Sequence, residues 1–106
     1  MAVNLTTGTT NTVILEPLPP MVSTLATVDS AFYGTDSQGD PKAADVAGDG
    51  KSVSFKVLAD VNPLVINLVS PNPNDEIVQL SQGGRVVGNP VVNQHKAPFT
   101  IFVNGT

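Results

Sequence analysis

Ser52-Val53-Ser54-Phe55-Lys56-Val57-Leu58-Ala59 alternates apolar and polar side chains residue by residue. Successive side chains of an extended chain point to opposite faces, so Val53, Phe55, Val57 and Ala59 share one face and Ser52, Ser54 and Lys56 the other. One dry face and one wet face is the pattern of a strand in an antiparallel sheet. Toward the C-terminus, Leu64-Val65-Ile66-Asn67-Leu68-Val69 is apolar nearly throughout and reads as a central strand covered on both faces. Ser70-Pro71-Asn72-Pro73-Asn74 is a turn, because proline fixes φ and asparagine tolerates the left-handed region. Residues 76–81 and 85–88 form a hairpin across Gln82-Gly83-Gly84, residues 91–93 add a short strand, and Pro98-Phe99-Thr100-Ile101-Phe102-Val103 closes the chain with Phe99, Ile101 and Val103 inward.

Toward the N-terminus the signals are weaker. Residues 34–51 interleave Gly34, Gly39, Gly48 and Gly50 with Asp36, Asp40, Asp45 and Asp49, and read as a long irregular loop with at most a helical turn at 42–47. Residues 22–33 form a strand bent in its middle. Thr12-Val13-Ile14-Leu15-Glu16 is a first strand ended by Pro17, Pro19 and Pro20. Proline cannot donate to a ladder, which places this strand at a sheet edge or at a switch between sheets. Residues 1–12 are polar and Thr-rich and read as an extended arm, leaving 13–106 as a single domain. Roughly seven or eight short strands separated by turns make an all-β, two-sheet antiparallel β-sandwich.

Composition agrees. Sixteen Val and ten Thr supply β-branched side chains suited to a pleated sheet, and nine Pro and nine Gly punctuate them. A chain of 106 residues is one domain. Five Lys and Arg against nine Asp and Glu give a net charge of −4. Lys42, Lys51, Lys56, Arg85 and Lys96 are scattered singly, which argues against a nucleic-acid partner and against an anionic membrane surface. No apolar run approaches the ~20 residues of a membrane span. The chain has no cysteine, which excludes disulfides, thiol catalysis and Cys-ligated metals. The N-terminus has neither the basic start nor the apolar core of a signal peptide, so Asn4-Leu5-Thr6 and Asn104-Gly105-Thr106 are read as chance glycosylation matches.

The C-terminal third carries a resemblance. Val69-Ser70-Pro71, Ile77-Val78-Gln79-Leu80, Gly83-Gly84-Arg85-Val86-Val87-Gly88 and Ala97-Pro98-Phe99-Thr100-Ile101-Phe102-Val103 resemble bacterial immunoglobulin-like modules. In that family a strand leaves a Ser-Pro turn, a hairpin follows with a Gly-rich turn and a basic–Val–Gly sequence, and the last strand is entered through Ala-Pro-aromatic. The chain departs from the pattern in lacking an aromatic at 77–80 and an Asn-Gly turn there. The resemblance implies an Ig-like sandwich used for display, adhesion, spacing or assembly. It implies no catalytic residues.

Candidate sites are few. Asp36, Asp40, Asp45 and Asp49 offer carboxylates for calcium, although Ala47 and Lys56 stand where an EF-hand loop needs ligands. Solvated turn residues explain them better, and no cofactor is expected. His95, the sole histidine, lies in the polar stretch Asn93-Gln94-His95-Lys96 without a nucleophile motif, so catalysis is not expected. Tyr33 and Phe102 are the aromatics left over for an exposed platform, since Phe55 and Phe99 fall on core faces. A polar arm is disordered unless it docks on its own sheet or on another chain. Val3 and Leu5 of the arm, the strand Val13-Ile14-Leu15, Tyr33 and Phe102 are therefore the expected interface. Together these features point to a non-enzymatic structural protein of a larger particle, such as a phage virion decoration (cement) or tail-associated protein. Its partners would be copies of itself or capsid and tail subunits. The alternative is a module of a bacterial surface enzyme or adhesin, binding carbohydrate or acting as a spacer.

Overall fold

The computed structural model describes residues 2–71, 74, 76–93 and 98–105. Over these residues the chain forms strands only. They are β1 (Ala2–Leu5), β2 (Thr10–Pro17), β3 (Thr27–Thr35), β4 (Pro41–Ala43), β5 (Asp45–Val46), β6 (Ser52–Lys56), β7 (Leu64–Val69), β8 (Glu76–Gln82), β9 (Arg85–Asn93) and β10 (Pro98–Gly105). Two five-stranded sheets, ordered β1-β10-β7-β3-β4 and β5-β6-β2-β8-β9, make the sandwich. All pairings are antiparallel except one: β1 runs parallel to β10, with Ala2 opposite Phe102 and Leu5 opposite Gly105.

Alternation builds the core. Val53 and Phe55 of β6 are buried, as are Val13 and Leu15 of β2, Val78 and Leu80 of β8, Leu64, Ile66 and Leu68 of β7, and Phe99, Ile101 and Val103 of β10. Fully burying one such side chain is worth about 1.5–3 kcal/mol, so a one-residue slip of any central strand would forfeit several of these at once. The hairpin β8–β9 turns through Gly83 and Gly84, whose φ angles of 59° and 79° are the two positive values a tight two-residue hairpin requires.

Several expectations need correction. The stretch 34–51 contains the two short strands β4 and β5 and no helical turn. Their residues are mostly exposed, so pairing to β3 and β6 holds them without any apolar periodicity. Strand β7 is central but not dry on both faces, since Val65, Asn67 and Val69 are only half-buried. Of the two places expected for β2, the switch between sheets holds and the edge does not: β6 pairs with its first half and β8 with its second, and beyond the proline cluster the chain crosses to β3 in the other sheet. Pro17 is the last residue in register with β8, so its missing N–H falls where the ladder ends. Of the two docking places expected for the arm, residues 2–5 use the chain's own sheet; the correction is at 10–12, which belong to β2 and not to the arm.

Strand directions sort the connections to two ends of the sandwich. Residues 18–26 and 47–51 lie at one end with the starts of β8 and β10. The turns at 36–40, 57–63 and 83–84 lie at the other.

Candidate functional site

Beyond Pro17 the chain cannot extend β2, because Pro19 and Pro20 lack donors, and it leaves the sheet as the loop 18–26. Polar groups fix the base of this loop. The Leu18 amide donates to the Ile77 carbonyl at 3.1 Å, and the Met21 amide closes a turn on the Leu18 carbonyl at 3.1 Å. The Ala26 amide donates to Glu76 Oε1 at 3.0 Å and to Thr24 Oγ1 at 3.1 Å. Lys51 Nζ donates to the carbonyls of Thr24 and Ala26. Ala26 itself is buried.

Between these fixed points the loop raises its apolar side chains into solvent. Val22 is 93% exposed, Met21 61% and Leu25 56%. Ile77 and Val92, cross-strand partners at the same end of β8 and β9, are also exposed. Because Val78 is buried, Ile77 points to the outer face of its sheet. Large apolar side chains gathered at one end of a small domain are the usual mark of an interaction surface, typically a few hundred Å² in extent. Residues 22–33 read in sequence as one strand, and this loop was missed. The Pro17-x-Pro19-Pro20 break followed by Ser23-Thr24 is the signal that would have located it.

The expected interface residues are not brought together. Val13 and Leu15 are buried in the core, and only Ile14 of that trio faces out, in register with Ser81 of β8. Tyr33 is 4% exposed rather than a surface platform. Its ring lies 4.9 Å from that of Phe55, and its hydroxyl is 3.2 Å from each of the carbonyls of Leu58 and Val61. The cause is an irregularity in β3 between Val28 and Ser30, which shifts the alternation so that Ala31 and Tyr33 follow Val28 into the core. Phe32 is turned outward instead. Phe102 is exposed on the outer face of the first sheet, as expected, and Leu5 is partly buried against the core. Val3 pairs with Val103 in β1, and its side chain lies outside the described residues.

The aspartates are dispersed. Asp36 Oδ1 accepts from the amides of Gln38 at 2.9 Å and Asp40 at 3.0 Å, and Asp49 Oδ1 accepts from the Lys51 amide at 2.9 Å. Each is an Asx turn, and the two turns sit at opposite ends of the sandwich. Among the described residues no three His, Asp or Glu side chains gather as metal ligands. His95 lies outside the described residues. A small pocket of about 230 Å³ between the sheets, floored by Tyr33 and Phe55, has Lys42, Asp45 and Lys56 at its walls. No family model, curated protein or solved structure matches this chain.

Proposed function

We propose that the chain is a non-enzymatic attachment module, a structural protein that docks on a neighbouring protein subunit through the apolar loop 18–26. The reading that fits best is a virion decoration (cement) or tail-associated protein, with another copy of the chain as the simplest neighbour. The observation that carries it is Val22, 93% exposed on a loop whose base is fixed by Lys51 and Glu76. A flexible apolar loop would lose conformational freedom on docking, whereas a fixed one has already given it up. An immunoglobulin-like frame belongs to the same proposal; the architecture itself is a two-sheet sandwich, and the function rests on the loop. The expected arm mechanism changes accordingly: β1 is occupied on β10, which moves the contact from the arm to the opposite connection.

Light scattering on the purified chain, with and without the triple substitution Met21→Ser, Val22→Ser and Leu25→Ser, tests this. The unsubstituted chain should associate above monomer mass as concentration rises, and the triple variant should remain monomeric with an unchanged melting temperature. A chain that stays monomeric at every concentration, or a variant that associates equally well, would overturn the reading.

A further inference from the structure

At the end of the sandwich opposite the Met21 loop, a groove of about 450 Å³ opens on the outer face of the first sheet. Its apolar surface is formed by Phe32 of β3 and its cross-strand partner Val65 of β7, extended by Pro63. Thr35, Asp60 and Asn62 supply the polar groups.

The wall formed by residues 60–63 is held from three directions. From inside, the Tyr33 hydroxyl meets the carbonyls of Leu58 and Val61. From β3, Gly34 admits close approach, since a Cβ there would stand 3.2 Å from Val61 Cγ1. From β10, the Val103 amide donates to Asn62 Oδ1. That bond leaves the Nδ2 hydrogens of Asn62 to serve as donors. Asp60 has a φ of 58°, the only positive value at a non-glycine residue among the described residues. Aspartate tolerates this region, and here it sits in the turn that leads into the wall.

The groups define a ligand. A ring face such as Phe32 takes a flat apolar surface, a carboxylate accepts hydroxyl protons, and a threonine hydroxyl and an amide NH₂ complete a polar edge. No Lys or Arg lines the groove, and Asp36 and Asp40 lie on the adjoining turn, so an anionic ligand would be repelled. The volume is within the roughly 300–1,000 Å³ of small-molecule sites. We propose that the groove binds a neutral saccharide, one ring stacked on Phe32 and its hydroxyls shared among Asp60, Thr35 and Asn62. This site is distinct from the Met21 loop and rests on none of its contacts. The sequence leaves Tyr33 for an exposed platform once Phe55 and Phe99 are placed in the core; the irregularity in β3 turns Phe32 outward instead.

Amide chemical shifts of the full chain, titrated separately with maltotetraose, cellotetraose and chitotetraose, test the proposal. At least one of these should produce saturable shifts at Gly34, Thr35, Gly39 and Val61. Asp60→Gly removes the carboxylate while suiting the positive φ, and Phe32→Leu keeps apolar volume while removing the ring. Each should weaken binding roughly tenfold. The triple variant of the Met21 loop, at the far end, should bind as the unsubstituted chain does. Absence of saturable shifts with all three saccharides would overturn the proposal, as would equal binding by Asp60→Gly and Phe32→Leu. So would a proline decamer that shifts these amides when no saccharide does.

Discussion

Lys51 Nζ donates to the carbonyl of Thr24 at 3.0 Å, tying the residue that precedes β6 to a loop 27 positions earlier in the chain. The same ammonium reaches the Ala26 carbonyl, so one side chain fixes the last part of the apolar loop. Lys51→Met keeps the aliphatic stem and removes every donor. Bonds from a charged donor are worth about 1.5–3 kcal/mol, and the variant should lose stability in that range. Urea denaturation measures the loss. Hydrogen exchange at the Ala26 and Val28 amides should accelerate more than exchange in β7.

Tyr33 does for the opposite end what Lys51 does for this one. Its hydroxyl accepts from the Leu58 amide at 3.3 Å and has one proton to share between the carbonyls of Leu58 and Val61. Tyr33→Phe preserves the ring contact with Phe55 and leaves those backbone groups without their partner. The expected cost is about 1–3 kcal/mol, seen as a lower urea midpoint with an unchanged m-value.

Gly50 and Gly48 lie in one turn and should respond unequally to the same substitution. Gly50 has φ 68°, and a Cβ there would fall 2.8 Å from Thr27 Cβ, while the Gly50 carbonyl accepts from the Val28 amide at 2.7 Å. Nothing lies within 4 Å of a Cβ built on Gly48. Gly50→Ala should therefore destabilise by more than about 2 kcal/mol, and Gly48→Ala should stay within about 0.5 kcal/mol of the original. Melting curves of the two variants decide it, and equal effects would mean that the β5–β6 turn is not built this way.

What could be read in the sequence was whatever burial writes into it. Val53 and Phe55, and Phe99, Ile101 and Val103, alternate because one face is dry; the second strand lies where the pattern puts it, while the first ends at Lys56 and leaves Ala59 exposed in the turn that follows. The Gly83-Gly84 turn was legible because only glycine takes both of its φ angles comfortably. Strands β4 and β5 left no pattern, since they are too short to alternate and are held by backbone pairing, with only Ala44 and Val46 packed against the core. Nor does the sequence of β2 say how many neighbours it has: Val13 and Leu15 would be buried in an edge strand too. The site suffered most. One irregularity near Asp29 exchanges the roles of Phe32 and Tyr33, and no local sequence signal announces it. The exposed Met21 and Val22 look like strand residues to any scale that counts apolar character alone.

The parallel pairing of β1 with β10 has a mechanical consequence. Because the two strands point the same way, residue 2 and residue 105 lie at opposite ends of the four-residue ladder that joins them. Tension between them would load the β1–β10 ladder along its length, so its hydrogen bonds would share the force and fail together instead of unzipping in turn. Resistance to forced unfolding is set by the barrier to that first rupture. Single-molecule stretching from residues 2 and 105 should give a high, sharp rupture peak, and stretching from residues 83 and 105, both at one end, a lower one. A chain strung in line through such a ladder is suited to bear load.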